Sequence, residues 1–127
     1  MNIYLSKIFT RLARRDGMTD THICQAIDEM NEGLIDADLG AGLFKKRIAI
    51  PGQGKRGGWR SLLGFQVGNR AFFLYLFPKS RRESIDAAEL KALKRLSKYY
   101  LTLKPAEIEA ALQCGELREV NCNEKRI

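Results

Sequence analysis

The chain has 127 residues, of which 45% are hydrophobic, and its 22 Lys and Arg against 15 Asp and Glu give a formal net charge of +7. This length fits one domain with its own core, and no apolar run is long enough for a membrane span. We expect no secretory signal, because the first residues do not show a basic region followed by an apolar region and then small residues. The three cysteines are odd in number and far apart, which argues against a disulfide framework and for a reduced, cytoplasmic compartment.

The first part of the chain predicts a short strand followed by two helices. The strand is expected at residues 2–5, and Ser6 is a plausible N-cap for the first helix. That helix should end at Gly17, a residue suited to the left-handed C-cap position. Thr19 caps a second helix, which Gly33 closes, so the region is predicted to form an αα-hairpin.

The middle of the chain predicts three strands. We interpret residues 34–42 as a connection and residues 43–50 as a half-buried strand with a basic outer face. A Gly-rich loop is expected over residues 51–58. The tight turn Gly68-Asn69 separates two further strands, which are predicted at residues 59–67 and 70–77.

The last part of the chain predicts two helices and a short strand. Asp86 and Glu89 form a capping-box pattern at the start of one helix, and Pro105 lies near the first position of the next. Residues 116–120 are expected to form a short strand. The sequence therefore predicts one α+β domain over residues 1–120, an antiparallel meander with helices on one face, and a flexible tail over residues 121–127.

The positive charge is concentrated in one third of the chain. Between Asp38 and Glu83 there is no acidic residue, and this stretch carries ten Lys and Arg. Residues 1–38 have a net charge of −3, and residues 83–127 have a net charge of 0. Such a concentrated positive field favours a polyanionic partner such as nucleic acid, and the alternative is a solvated basic face without a ligand.

Several kinds of chemistry find no support in the sequence. His22 is the only histidine, and we interpret it as a structural residue at the start of the second helix. With three scattered cysteines there is no metal-ligand spacing, so neither a metal nor any other cofactor is expected. Gly54-Lys55 is followed by Arg56 and a strand, which does not match a nucleotide-binding phosphate loop.

A group of basic residues is predicted to meet at one end of the sheet. Lys55, Arg56 and Arg60 lie on the Gly-rich loop and the strand that it enters. Lys79 leaves the next strand, whose exit lies beside that entry in an antiparallel pair. Trp59 is either a stacking surface for a base or a core aromatic residue. The other positions expected to contact RNA are Lys45, Arg47, Arg81 and Arg82.

The same segments resemble a known family. The segment from Gly54 to Arg60 after a basic strand, together with residues 33–40, 43–47, 77–79 and 89–93, is similar to RelE/HigB-type toxins of bacterial type II toxin–antitoxin modules. The similarity runs from Met1 to about Val120 in the expected order. It implies the small α+β fold of the RelE/ParE superfamily, with an N-terminal αα-hairpin and C-terminal helices on an antiparallel sheet.

The resemblance also implies an activity, that of an endonuclease that cuts mRNA, usually on the ribosome, and so inhibits translation. Related toxins cleave without metal, by attack of the 2′-hydroxyl on the adjacent phosphate. Arg60 matches a clamp for the transition-state phosphate. Lys55, with Arg56 in the same basic loop, is the candidate base or phosphate ligand, and Lys79 is the candidate acid or charge stabiliser.

The expected partners follow from the same resemblance. A helix-turn-helix antitoxin should neutralise the toxin with acidic side chains that cover the basic end of the sheet or an adjoining surface, and it should bring the complex to operator DNA. The mRNA and the ribosome are the other partners, and no membrane is expected. Two alternatives stay open at this point, a ParE-like toxin that poisons DNA gyrase and a non-catalytic nucleic-acid-binding module.

Overall fold

The structure is a computed structural model that describes residues 1–50, 54–81 and 84–122, with the backbone alone at residues 54–56. It contains six strands and four helices within these residues. In chain order they are β1 (Asn2–Ser6), α1 (Lys7–Asp16), α2 (Asp20–Asn31), β2 (Ala37–Gly40), β3 (Leu43–Ile50), β4 (Gly54–Gln66), β5 (Arg70–Pro78), α3 (Ala87–Leu101), α4 (Pro105–Gln113) and β6 (Leu117–Val120).

The strands form one sheet in the order β2-β3-β4-β5-β1-β6. β1 is parallel to β5, with Ile3 opposite Ala71, and the other neighbouring strands are antiparallel. The predicted α+β class is confirmed, but a purely antiparallel meander is wrong because β1 inserts between β5 and β6. The segment interpreted as a connection contains β2, whose four residues are too short to show a strand period.

Helices cover both faces of the sheet, so the expectation of helices on one face is wrong. Phe73 belongs to a core that α1 and α2 close, whereas its neighbour Phe72 belongs to a second core under α3 and α4. Adjacent strand residues point to opposite faces. A central strand between two helical layers is therefore apolar at nearly every position, which explains the sequence of β5.

The predicted helix ends are confirmed by the caps. Ser6 Oγ accepts a hydrogen bond of 3.0 Å from the backbone N–H of Phe9 at the start of α1. Gly17 ends α1 with a φ of 78°, the left-handed conformation that glycine adopts without strain. Asp86 and Glu89 exchange backbone hydrogen bonds at the start of α3, as a capping box requires.

α3 packs against one end of the sheet at two glycines. A Cβ atom at Gly64 of β4 would lie 2.8 Å from Ser97 Oγ, and one at Gly42 would overlap Leu101 Cδ1. A side chain at either glycine would force Ser97 or Leu101 of α3 to shift, so the two glycines favour this close approach of helix and sheet. Arg60 lies four residues before Gly64 along β4, which at the rise of a strand is a distance of about 13 Å.

A disulfide joins two layers of the molecule, so the argument against a disulfide from the number and spacing of the cysteines is wrong. Cys24 of α2 is bonded to Cys122, which follows β6, across a sequence separation of 98 residues. Spacing that long gives no sequence signal, because the pairing depends on how the strands and helices are arranged. The predicted tail is thus tied to α2 at its second residue, and residues 123–127 lie outside the described part.

Candidate nucleic-acid interface

Arg60 occupies the middle of a row of side chains that crosses three strands. It lies opposite Arg47 of β3 and Phe77 of β5. Residues directly opposite in antiparallel strands share a face, and here it is the face that carries α3, because Leu62 of the same parity belongs to the α3-side core. Arg60 is 4% exposed, so its charge acts in a medium that screens it far less than water does.

Two further cations lie on the rows next to Arg60. On the row toward α3, Lys45 and Tyr75 flank Leu62 from its two sides. On the row beyond Arg60, the carbonyl of Gly58 accepts a 3.1 Å hydrogen bond from the backbone N–H of Lys79. The same carbonyl accepts from Arg60 Nη1 at 3.5 Å. The start of β4 and the exit of β5 are therefore adjacent, as the sequence predicted.

We call the surface formed by Lys45, Arg47, Arg60 and Tyr75, together with Lys79 directly after the end of β5, the basic sheet face. It combines four cations with one half-buried aromatic ring. Lys79 is exposed, and Arg47 keeps 46% of its side chain exposed although its Nε lies 3.9 Å from Asp36 Oδ1. The face thus presents accessible charge around a deeply set guanidinium, an arrangement suited to a phosphate group.

Part of the predicted site lies outside the described side chains. Lys55 and Arg56 belong to β4, which begins at Gly54, so the connection to β3 is shorter than the predicted loop of residues 51–58. Their backbone is in the strand that carries Arg60, two or more rows farther from α3. Arg82 lies outside the described residues.

Trp59 does not provide a stacking surface in this structure. It is 3% exposed and belongs to the core under α1 and α2. Its ring meets that of His22 edge-on, with 5.2 Å between the centroids. His22 itself caps α2, since its Nδ1 accepts a 2.9 Å hydrogen bond from the N–H of Thr19. The half-buried aromatic residue on the basic sheet face is Tyr75, which shares strand parity with Phe77.

Arg81 turns away from the basic sheet face toward α1. Its Nη1 lies 3.5 Å from Asp16 Oδ1, and 53% of its side chain is exposed. The Asp16 side chain is 7% exposed and also contacts Arg15 Nε at 3.2 Å. Arg81 is therefore held beside the end of α1, and it reaches a polyanion only at the border of the face.

Two other cations of the acid-free stretch have structural partners. Lys46 is 2% exposed, and its Nζ lies 2.7 Å from Glu29 Oε1 and donates to the carbonyl of Leu34 at 2.9 Å. Arg70 donates to the carbonyl of Leu103 at 2.8 Å and to that of Leu101 at the end of α3. Neither side chain belongs to the basic sheet face.

The pKa shifts of two tyrosines mark the α3-side core. Burial raises the pKa of the Tyr100 hydroxyl well above its usual range, helped by its 2.9 Å hydrogen bond to Glu116. Burial also raises the pKa of Tyr4, and Glu119 adds to the effect. Both hydroxyls are held in the neutral form, so neither supplies an ionised group near the basic sheet face.

Two kinds of feature are absent from the part of the chain that the structure describes. Residues 1–50, 54–81 and 84–122 contain no group of three or more His, Cys, Asp or Glu side chains placed to hold a metal ion. In the same residues no helix combines the length and the apolar character needed to cross a membrane.

Comparison with known proteins identifies the class of molecule. Residues 1–120 match the family model described as the RelE toxin of the RelE / RelB toxin-antitoxin system. The chain therefore belongs to this toxin family. No curated protein matches the chain. As a RelE-type toxin it has an antitoxin as its partner.

Proposed function

We propose that this toxin is an endoribonuclease that cuts mRNA on the ribosome and thereby inhibits translation in the cytoplasm. The observation that carries the proposal is the position of Arg60, which is 4% exposed and lies between Arg47 and Phe77 on a face that also holds Lys45 and Lys79. Binding of a polyanion by charge alone requires only exposed cations on the protein. A guanidinium fixed in a protected site is suited to a charge that develops during a reaction.

The proposed reaction is transfer of the phosphate to the neighbouring 2′-oxygen. The 2′-hydroxyl loses its proton to a base, its oxygen bonds to phosphorus, and the bond from phosphorus to the 5′-oxygen breaks. The leaving 5′-oxygen takes up a proton, so the products are a 2′,3′-cyclic phosphate and a 5′-hydroxyl. Acid and base both come from side chains in this scheme, and no metal is required.

Each described side chain of the face has a role in this proposal. Arg60 binds the two non-bridging oxygens of the phosphate with its planar fork and stabilises their growing charge. Lys79, which is exposed next to it, protonates the leaving oxygen. A base of the substrate stacks on Tyr75, taking the role that the sequence analysis gave to Trp59.

The remaining parts of the proposal rest on sequence and family. Lys55, with Arg56 beside it, is the proposed base, since a lysine among like charges gives up its proton more readily than one in water. The ribosome holds the mRNA in position, which removes much of the entropic cost of aligning the 2′-oxygen with the leaving group. A helix-turn-helix antitoxin neutralises the toxin and brings the complex to operator DNA.

Induced expression with primer extension on a reporter mRNA tests the proposal. We expect growth arrest and new 5′ ends within the reading frame, and co-expression of the antitoxin should remove both. A folded protein that leaves mRNA intact would overturn the ribonuclease assignment. Growth arrest with double-strand DNA breaks and intact mRNA would instead indicate a gyrase poison.

A further inference from the structure

Lys79 lies in a tight turn that directly follows β5. The turn is closed by a 3.0 Å hydrogen bond from the backbone N–H of Arg81 to the carbonyl of Pro78. On the side of the sheet, the backbone N–H of Lys79 donates to the carbonyl of Gly58 at 3.1 Å. The place of the exposed Lys79 side chain therefore depends on how firmly the Arg81 end of the turn is anchored.

The Arg81 end of the turn is anchored to α1. Arg81 Nη1 lies 3.5 Å from Oδ1 of Asp16, which is the last residue of α1. The other end of α1 is fixed to β5, because Ser6 Oγ donates to the carbonyl of Leu74 at 3.3 Å. Asp16 thus ties the turn back to a helix that is packed on the strand from which the turn leaves.

Asp16 is placed where a carboxylate costs stability. Its side chain is 7% exposed, and Oδ2 makes no hydrogen bond in the described part of the chain. The helix dipole also opposes a negative charge at the C-terminal end of a helix. The half-exposed Arg15 and Arg81 offset this cost through Oδ1 alone. The contact between Asp16 and Arg81 therefore adds little to the stability of the fold, and its effect is local to the turn.

From these contacts we propose that Asp16 is a positioning residue, which keeps Lys79 beside Arg60 by holding Arg81. The inference rests on the proposed function, in which Lys79 protonates the leaving 5′-oxygen. A general acid must lie within hydrogen-bond reach of that oxygen, so a shift of the turn by about 1 Å slows the reaction without weakening the binding of RNA. Asp16 belongs to α1, on the opposite side of the sheet from the basic sheet face, and acts through Arg81.

The test uses ribosome-bound mRNA whose scissile phosphate carries either the normal 5′-oxygen or a bridging 5′-sulfur. A thiolate leaves without taking up a proton, so a defect in the general acid disappears on the sulfur substrate. The variants are Asp16→Asn, Arg81→Gln and their combination, with Lys79→Ala as the reference for loss of the acid. Asp20→Asn is the matched control, because Asp20 is another helix carboxylate that is paired with an arginine, Arg118 at 2.9 Å.

On the oxygen substrate we expect Asp16→Asn to slow single-turnover cleavage about tenfold, with RNA affinity unchanged. On the sulfur substrate the loss should fall below about twofold, as for Lys79→Ala. Asp16→Asn should have no further effect once Arg81→Gln is present, because the two residues act as one unit.

Two measurements without substrate accompany the kinetics. Hydrogen exchange at the Lys79 amide should become faster in Asp16→Asn, because the turn is no longer held at its Arg81 end. The melting temperature should stay close to that of the wild type, since the charged carboxylate is costly where it lies. A slower reaction with an intact fold and a looser turn is the result that a purely structural role of Asp16 would not produce.

Four results would overturn the inference. The first is cleavage by Asp16→Asn at the rate of Asp20→Asn, and the second is a loss that persists on the sulfur substrate. The third is a full further loss when Asp16→Asn is added to Arg81→Gln. The fourth is an unchanged exchange rate at the Lys79 amide. If the wild type cuts neither substrate, the proposed function fails, and the exchange rate at Lys79 still decides whether Asp16 holds the turn.

Discussion

Lys46 and Arg70 come from the same acid-free stretch as Arg60 and Lys79, yet their surroundings differ completely. Lys46 is held by Glu29, and Arg70 is held by the carbonyls of Leu101 at the end of α3 and of Leu103 beyond it. Arg60 and Lys79 lie together on the basic sheet face and share the carbonyl of Gly58. Charge counted along the chain treats these four residues alike. The comparison shows that the fold, and not the count of charges along the chain, decides which cations share a face.

The first prediction tests the ligand-binding side of the comparison and has the largest expected effect. Arg60→Ala should lower the cleavage rate by about 10²–10³-fold, because it removes the group that stabilises the charge of the transition state. Arg60→Lys should restore RNA binding more than cleavage, since lysine keeps the charge but lacks the planar fork. Single-turnover cleavage and RNA affinity, measured on the same preparations, check both.

The control for Arg60 is Arg70, one of the two cations that have structural partners. Arg70→Ala removes the same type of side chain from the same stretch, and we expect normal cleavage per folded molecule. Because Arg60 is buried, thermal unfolding of each variant must accompany the kinetics. Equal loss of activity in Arg60→Ala and Arg70→Ala would show that the comparison between the two groups is mistaken.

The sequence predicted the elements that have a clear period or clear end signals. β5 was expected at residues 70–77 and runs from Arg70 to Pro78, and α3 begins where Asp86 and Glu89 indicated. β2 was missed because four residues carry no period. The two-sided arrangement of helices was missed, although a strand that is apolar at nearly every position, as β5 is, indicates that both faces of the sheet are covered.

The candidate site was predictable only in outline. The adjacency of Arg60 and Lys79 followed from antiparallel pairing, and it is confirmed by the 3.1 Å bond to Gly58. That Trp59 faces the core, and Tyr75 the basic sheet face, depends on strand register. A one-residue change of register exchanges the two faces, and nothing local in the sequence fixes it.

The second prediction tests the structural side of the comparison. Glu29→Ala should lower the free energy of unfolding by about 3 kcal/mol, because it leaves the buried ammonium of Lys46 without its carboxylate. Lys46→Met should cost less, since the Glu29 side chain is 20% exposed and can be hydrated when its partner is gone. Chemical denaturation measures both. A larger loss in Lys46→Met than in Glu29→Ala would contradict this account.

The third prediction concerns the contact of Arg70 with the end of α3. Arg70→Ala should lower the free energy of unfolding by about 2 kcal/mol, because two charge-assisted hydrogen bonds are lost, one to the last carbonyl of α3 and one to the carbonyl of Leu103 just beyond it. Arg70→Lys should recover part of this, since one ammonium cannot reach both carbonyls with the geometry of a guanidinium. If Arg70→Ala unfolds at the same denaturant concentration as the wild type, these bonds add nothing to stability.

The smallest predicted effect belongs to Lys45, at the border between the two groups. It lies on the row next to Arg60 and is partly exposed, so it should contact a phosphate without taking part in the reaction. Lys45→Ala should then weaken RNA binding a few-fold and lower the slope of log affinity against log salt by about 0.7, the value for one phosphate contact on a single strand. Lys91→Ala on α3 is the matched control and should leave the slope unchanged. An unchanged slope in Lys45→Ala would show that Lys45 makes no phosphate contact. The basic sheet face would then not include this residue.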